Sequence, residues 1–112
     1  MSAPTATNRF RELLSIVFSA ASGKRVMTTS PSERGFSVGS HVKGVPGWSI
    51  TARSYTRERL NDAVDEAREA AEAEGSEFFA AILPRHGGTV GRSYAVMDVD
   101  TLARLIARDS ER

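Results

Sequence analysis

Between Gly75 and Pro84 the chain reads SEFFAAIL, and the apolar residues from Phe78 to Leu83 are unbroken. A strand with one wet face alternates apolar and polar residues; this run does not, and it is far too short to cross a membrane as a helix. The run is short enough to be a central strand covered on both faces. The covers have to come from this chain, and its 112 residues are enough for one such core with no room for a second domain.

The flanking segments supply those covers. Residues 1–7 hold Pro4 among small residues without period and read as a flexible tail, so the single domain spans 8–112. Asn8 is a candidate N-cap for a helix with Phe10, Leu13, Leu14, Val17, Phe18 and Ala21 at helical spacing, and Gly23 stands where it stops. Arg25 to Ser30 alternates weakly as a short strand, broken by Pro31 and Gly35. Gly35 to Val42 places Phe36 and Val38, with Val42 as a further candidate, in a second strand, and the turn GVPG leads into a third, Trp48 to Ser54. In this third strand Trp48, Ile50 and Ala52 share one side, Ser49, Thr51 and Arg53 the other, and the two strands form an antiparallel pair. Thr56 to Glu74 is an Ala- and Glu-rich helix with Leu60, Ala63, Val64, Ala67 and Ala71 as its apolar stripe, capped by Thr56 and ended by Gly75. After the central strand, Glu77 to Leu83, come a glycine-rich loop, a strand in SYAVMDV, and a closing helix. That helix is expected to be capped by Asp100, with Leu102, Leu105 and Ile106 on its core face. The order αβββαββα implies an α/β domain: a mixed sheet flanked by helices on both faces.

Charge and composition narrow the function. Fifteen Lys and Arg against fourteen Asp and Glu leave a net charge of +1, so any nucleic-acid surface has to be a local patch. The absence of cysteine excludes a disulfide framework, a thiolate nucleophile and a Cys-based zinc site, and fits a reducing cytoplasm. The polar N-terminus and the lack of a long apolar run predict neither export nor membrane insertion. His41 and His86 are the two histidines, without HxxxH or HExxH spacing, so His41 reads as a polar residue at a strand end and no metal site is expected. Trp48, Phe78 and Phe79 read as core anchors rather than as stacking platforms. Asp62, Asp65, Glu66, Glu69, Glu72 and Glu74 read as a solvated helix face supported by Arg57, Arg59 and Arg68; the alternative is a negative face that docks a basic host protein or mimics DNA. Pro84 to Gly88 fits a phosphate-contacting loop and a plain hairpin loop equally.

Four segments taken in order, HVKGVPGWSITAR, VDEAREAAEAEG, FFAAILPRHGG and SYAVMDVDTLARLI, make residues 9 to 108 resemble the phage and actinobacterial Holliday-junction-resolvase-like proteins of the PD-(D/E)xK nuclease superfamily. The resemblance implies a restriction-endonuclease-like fold and a homodimer. In active members an Asp shortly before the Gly-Val-Pro-Gly turn and a Glu on the next strand hold a metal, while a Lys two residues on positions or activates water. Those positions fall here at His41, Thr51 and Arg53. A threonine hydroxyl is a poor ligand for Mg²⁺, and an arginine does not give up its proton to act as a base. The same replacements turn the local charge from negative to positive, which favours phosphate.

The expectation is therefore a catalytically inactive, phage-encoded domain in the host cytoplasm, without cofactor or metal. It would bind DNA through Lys43, Arg53, Arg57, Arg85 and Arg92. The alternative is a protein-protein interaction module on the same scaffold that modulates a host or virion protein. A third reading is a divergent metal-dependent nuclease using Glu12 and Glu33.

Overall fold

The unbroken apolar run becomes the strand around which the sheet is built: all six residues of Phe78–Leu83 are buried. The computed structural model describes residues 6–29, 39–53, 59–85 and 87–111. Within them the elements are α1 (Ala6–Ser22), β1 (Met27–Thr28), β2 (Val42–Lys43), β3 (Trp48–Ala52), α2 (Leu60–Glu74), β4 (Phe78–Leu83), a 3₁₀ turn (Val90–Arg92), β5 (Tyr94–Val96) and α3 (Val99–Ser110). The sheet runs β1-β2-β3-β4-β5 and is antiparallel at every pair except β3 with β4. That parallel pair accounts for the position of α2, because parallel neighbours need a long crossover whereas antiparallel ones can be joined by a turn. One such turn brings Gly44 against β1's entry: a Cβ there would run into the backbone oxygen of Arg25, and φ is 114°. Only glycine fits both demands.

Alternate residues of β3 and β4 serve two layers. On one face Ile50, Ala52, Ala80 and Ile82 meet Leu14 of α1, with Phe10 and Phe18 at the margin. On the other, Phe79, Ala81 and Leu83 meet Ala63, Ala67 and Ala71 of α2. Ser49 and Thr51 are buried as well, at 0% and 2% exposure, so the polar side of β3 is as dry as its apolar side. The single-methyl side chains of α2 let that helix lie close against the sheet. Complete burial of one large side chain such as Phe78, 0% exposed, contributes about 1.5–3 kcal/mol.

Several boundaries and faces differ from the sequence expectation. The first helix starts at Ala6, so Asn8 lies inside its first turn rather than at the cap. Leu13 and Val17 are substantially exposed, since α1 meets the sheet along the line of Phe10, Leu14 and Phe18. Arg11 takes a place on that contact: it is buried, and its Nε donates to the Ala52 carbonyl at 2.9 Å. In α2 the predicted stripe member Leu60 is exposed and Ala70 is buried instead. Gly75 ends α2 as expected, in the left-handed conformation. The proposed cap Thr56 and the Phe36–Val38 part of the second strand lie outside the described residues.

The closing helix needs the largest correction. Its N-cap is Asp98, not Asp100: the Asp98 carboxylate accepts from the Thr101 N–H at 2.8 Å. Leu102 and Ile106 do not face the core; they are 44% and 57% exposed, while Thr101 is 0% exposed. The cap is the physical reason. Asp98 is also held by Arg68 of α2 at 3.1 Å, and this anchor turns the Thr101 side of α3 inward, with Leu105 half-buried and Leu102 and Ile106 outside. At the far end of the helix the Arg108 guanidinium lies over the Phe78 ring, on the same side as Thr101.

Candidate functional site

The three positions that the resemblance assigns to metal chemistry lie side by side, and the fold closes over two of them. His41 is 5% exposed. Its N–H donates to the Ile50 carbonyl at 2.9 Å, its carbonyl accepts from the Thr29 N–H at 3.1 Å, and its Nδ1 accepts from the Ala52 N–H at 3.0 Å. The imidazole thus replaces a ladder carbonyl between β2 and β3, and its proton has to sit on Nε2. Thr51 stands beside Ala81 in the parallel pair, under the alanine face of α2. Both side chains are buried. Among the described residues no three His, Asp or Glu side chains come together to hold a metal ion.

Arg53 follows β3 and keeps its ladder bond, N–H to the Ile82 carbonyl at 3.3 Å. Its Nε donates to both carboxylate oxygens of Glu66 on α2, at 2.7 and 2.9 Å. The side chain is 48% exposed, so the pair is screened and the guanidinium reaches solvent. Because β3 and β4 are parallel, Arg85, just beyond Leu83, emerges at the same end of the sheet. Arg92 joins it through the glycine-rich turn: a Cβ on Gly88 would sit 3.4 Å from Arg92 Cβ and 3.7 Å from Arg85 Cδ, so the two arginines flank that glycine. Both are exposed, and neither forms an ion pair with a described residue.

Lys43 is not part of this grouping. The β2–β3 register sets Val42 against Ile50, which puts Lys43 beside Ser49, about 13 Å along the strand from Arg53. There it approaches Glu74 at 3.7 Å. Arg57, His86 and Glu33 lie outside the described residues, and Glu12 is exposed on α1.

Two carboxylates that the sequence reading assigned to a solvated helix face instead bond to the sheet and its approaches. Glu66 fixes Arg53. Glu74, 22% exposed in its side chain, accepts from the Ser40 N–H at 3.2 Å, the Ser40 hydroxyl at 2.5 Å and the Ser49 hydroxyl at 2.6 Å. Partial burial is the largest single influence on Glu74 and works against its charge, but the two serine hydroxyls, the Ser40 N–H and Lys43 together outweigh it and hold the carboxyl below its ordinary pKa. A signal for this role exists in the sequence: a glutamate immediately before a helix-ending glycine sits at the negative end of the helix dipole, where it needs donors.

A mixed-charge cleft of about 770 Å³ opens between α2 and α3 around Arg68, Asp98 and Arg104. It shares no residue with the arginine end. No helix among the described residues is long and apolar enough to cross a membrane. Comparison with family models, with curated proteins and with solved structures returns no match.

Proposed function

We propose that this chain is a non-catalytic, nucleic-acid-binding domain of the restriction-endonuclease-like class, holding DNA phosphates at the arginine end of the sheet. The observation that carries the reading is the grouping of Arg53, Arg85 and Arg92 where β3 and β4 end, with Arg85 and Arg92 unpaired among the described residues. Guanidinium groups match phosphate oxygens in pairs and stay charged at any working pH. The mixed sheet, the helix on each face and the element order support the fold class. The absence of cleavage follows from side-chain chemistry: Thr51 offers a neutral hydroxyl beneath α2, and Arg53 has no proton-accepting form. Lys43 belongs to the Glu74 cluster on this reading and contributes little to the grip.

The test is titration of a labelled four-way junction and a matched linear duplex at two salt concentrations, with and without Mg²⁺. Binding that weakens steeply with salt, without cleavage, is the expected result. Joint replacement Arg85→Ala and Arg92→Ala reduces the slope of log K against log salt by about 2. Salt-independent binding, no binding at low salt, or Mg²⁺-dependent cleavage rejects the reading.

A second reading, a protein-interaction module, is favoured by α3. Val99, Leu102 and Ile106 form a stripe at spacings of three and four residues and are 79%, 44% and 57% exposed. The homodimer implied by the family resemblance would have this stripe available to bury. Sedimentation that shows a dimer in the parent and a monomer in Leu102→Glu, together with no DNA binding, favours this second reading over the first.

A further inference from the structure

We propose that the apolar pocket between α1 and the β3–β5 face is a binding site for a neutral planar aromatic molecule of one or two fused rings. The pocket measures about 260 Å³, is walled by Phe18, Val45, Trp48, Ile50, Ile82 and Met97, and has no polar surface opening into it. Its origin is readable in the packing. Among the described residues, α1 covers one part of this sheet face, and over the remainder lie Ala80 and Ala95, whose single methyls leave the floor low. Space that a leucine would fill is left open by these residues.

Size and chemistry together select the ligand. Apolar cavities of about 150 Å³ take benzene and exclude water; this one exceeds that by enough for a second ring. A sugar, a phosphate or the polar edge of a nucleobase seated against this lining would lose its hydration and find no partner, which costs at least about 1–3 kcal/mol per group, so only the apolar part of a ligand fits inside. Two aromatic walls and a thioether give a flat ring more than burial alone, through ring–ring and sulfur–ring contact.

One wall, the Trp48 indole, is also held in place before any ligand arrives. Trp48 leans on Phe78 with ring centroids 5.2 Å apart and a 31° tilt, and Phe78 is itself covered by the Arg108 guanidinium. The indole is thereby braced against swinging into the space it borders, and a site that needs no rearrangement loses less affinity to ordering. The pocket shares no residue with Arg53, Arg85 or Arg92, so the proposal stands or falls separately from nucleic-acid binding.

The experiment is a titration of the full chain with naphthalene, followed by methyl NMR of Val45, Ile50, Ile82 and Met97 and by the indole N–H signal of Trp48, the one tryptophan. Saturable shifts confined to these signals are expected below the solubility limit of naphthalene. Ala95→Leu, at an exposed position of the edge strand β5, fills the pocket from its open wall and weakens binding about tenfold or more. Naphthalene-1-sulfonate, the same ring with a charge, binds at least about tenfold more weakly than naphthalene. The proposal is overturned if no shift saturates, or if Ala95→Leu retains its native amide spectrum and binds naphthalene undiminished. It is equally overturned if the Trp48 and Met97 signals change on simple dilution together with a change of sedimenting mass, because a second copy of the chain is then the occupant.

Discussion

Glu74 carries its charge at the C-terminal end of α2, where backbone carbonyls already concentrate negative potential. The Ser40 and Ser49 hydroxyls, the Ser40 N–H and Lys43 make the ionised form the favoured one in the folded chain, which is why its pKa lies below the ordinary value. A carboxyl with a depressed folded pKa stabilises the fold fully above its unfolded pKa, about 4.3 for Glu, and loses that contribution as pH falls through the folded value. Glu74→Gln is therefore expected to cost about 1–2 kcal/mol at neutral pH and to flatten the decline of stability on acidification below about pH 5. Urea denaturation of both proteins across a pH series measures this; parallel acid limbs would show that the serine cluster contributes nothing specific. The sequence shows Glu74 as one acidic residue among six on a helix. What it does not show is that Ser40, 34 positions away, arrives at that helix end, because only the sheet register brings the two together.

At the scale of elements, period and punctuation carried most of the information. FFAAIL reads as a doubly covered strand and Gly75 as the end of the helix before it, and both stand so in the structure. The closing helix shows where this kind of reasoning stops. Its period identifies the apolar stripe but not the rotation of the helix against the sheet, and DVD offers two acidic caps two residues apart. Rotation was decided by tertiary contacts: Asp98 takes the Thr101 N–H and Arg68 together. Its carboxyl is held below the usual range, first by its bonds from Thr101 and then by Arg68. The consequence separates the two acids. Asp98→Ala is expected to lose about 1–2 kcal/mol, and Asp100→Ala no more than about 0.5 kcal/mol, in thermal or chemical denaturation. Equal losses would contradict the assignment of the cap.

For the whole molecule, a net charge of +1 provides little long-range attraction for nucleic acid, so under the proposed function any affinity has to arise from a few groups at short range. Of the five residues singled out as phosphate contacts, Arg53, Arg85 and Arg92 share one end of the sheet, Lys43 stands apart, and Arg57 lies outside the described residues. Side-chain type was enough to nominate the set; the parallel β3–β4 pair was needed to sort it. Within the arginine end the contributions are unequal, because Glu66 already offsets Arg53. Removing that offset is more informative than removing the arginine. Glu66→Gln leaves an acceptor for the Arg53 Nε and deletes the opposing charge, so DNA affinity rises several-fold and the salt slope steepens by about 1. Arg53→Ala lowers affinity by less than Arg85→Ala does. The Arg53 and Glu66 side chains are 48% and 26% exposed, and a solvent-screened pair of this kind contributes no more than about 1 kcal/mol to folding, so urea denaturation of Glu66→Gln alongside the titration separates a change in binding from a change in folding. If Glu66→Gln binds DNA with unchanged affinity and slope, Arg53 does not meet phosphate, and the arginine end reduces to Arg85 and Arg92 alone.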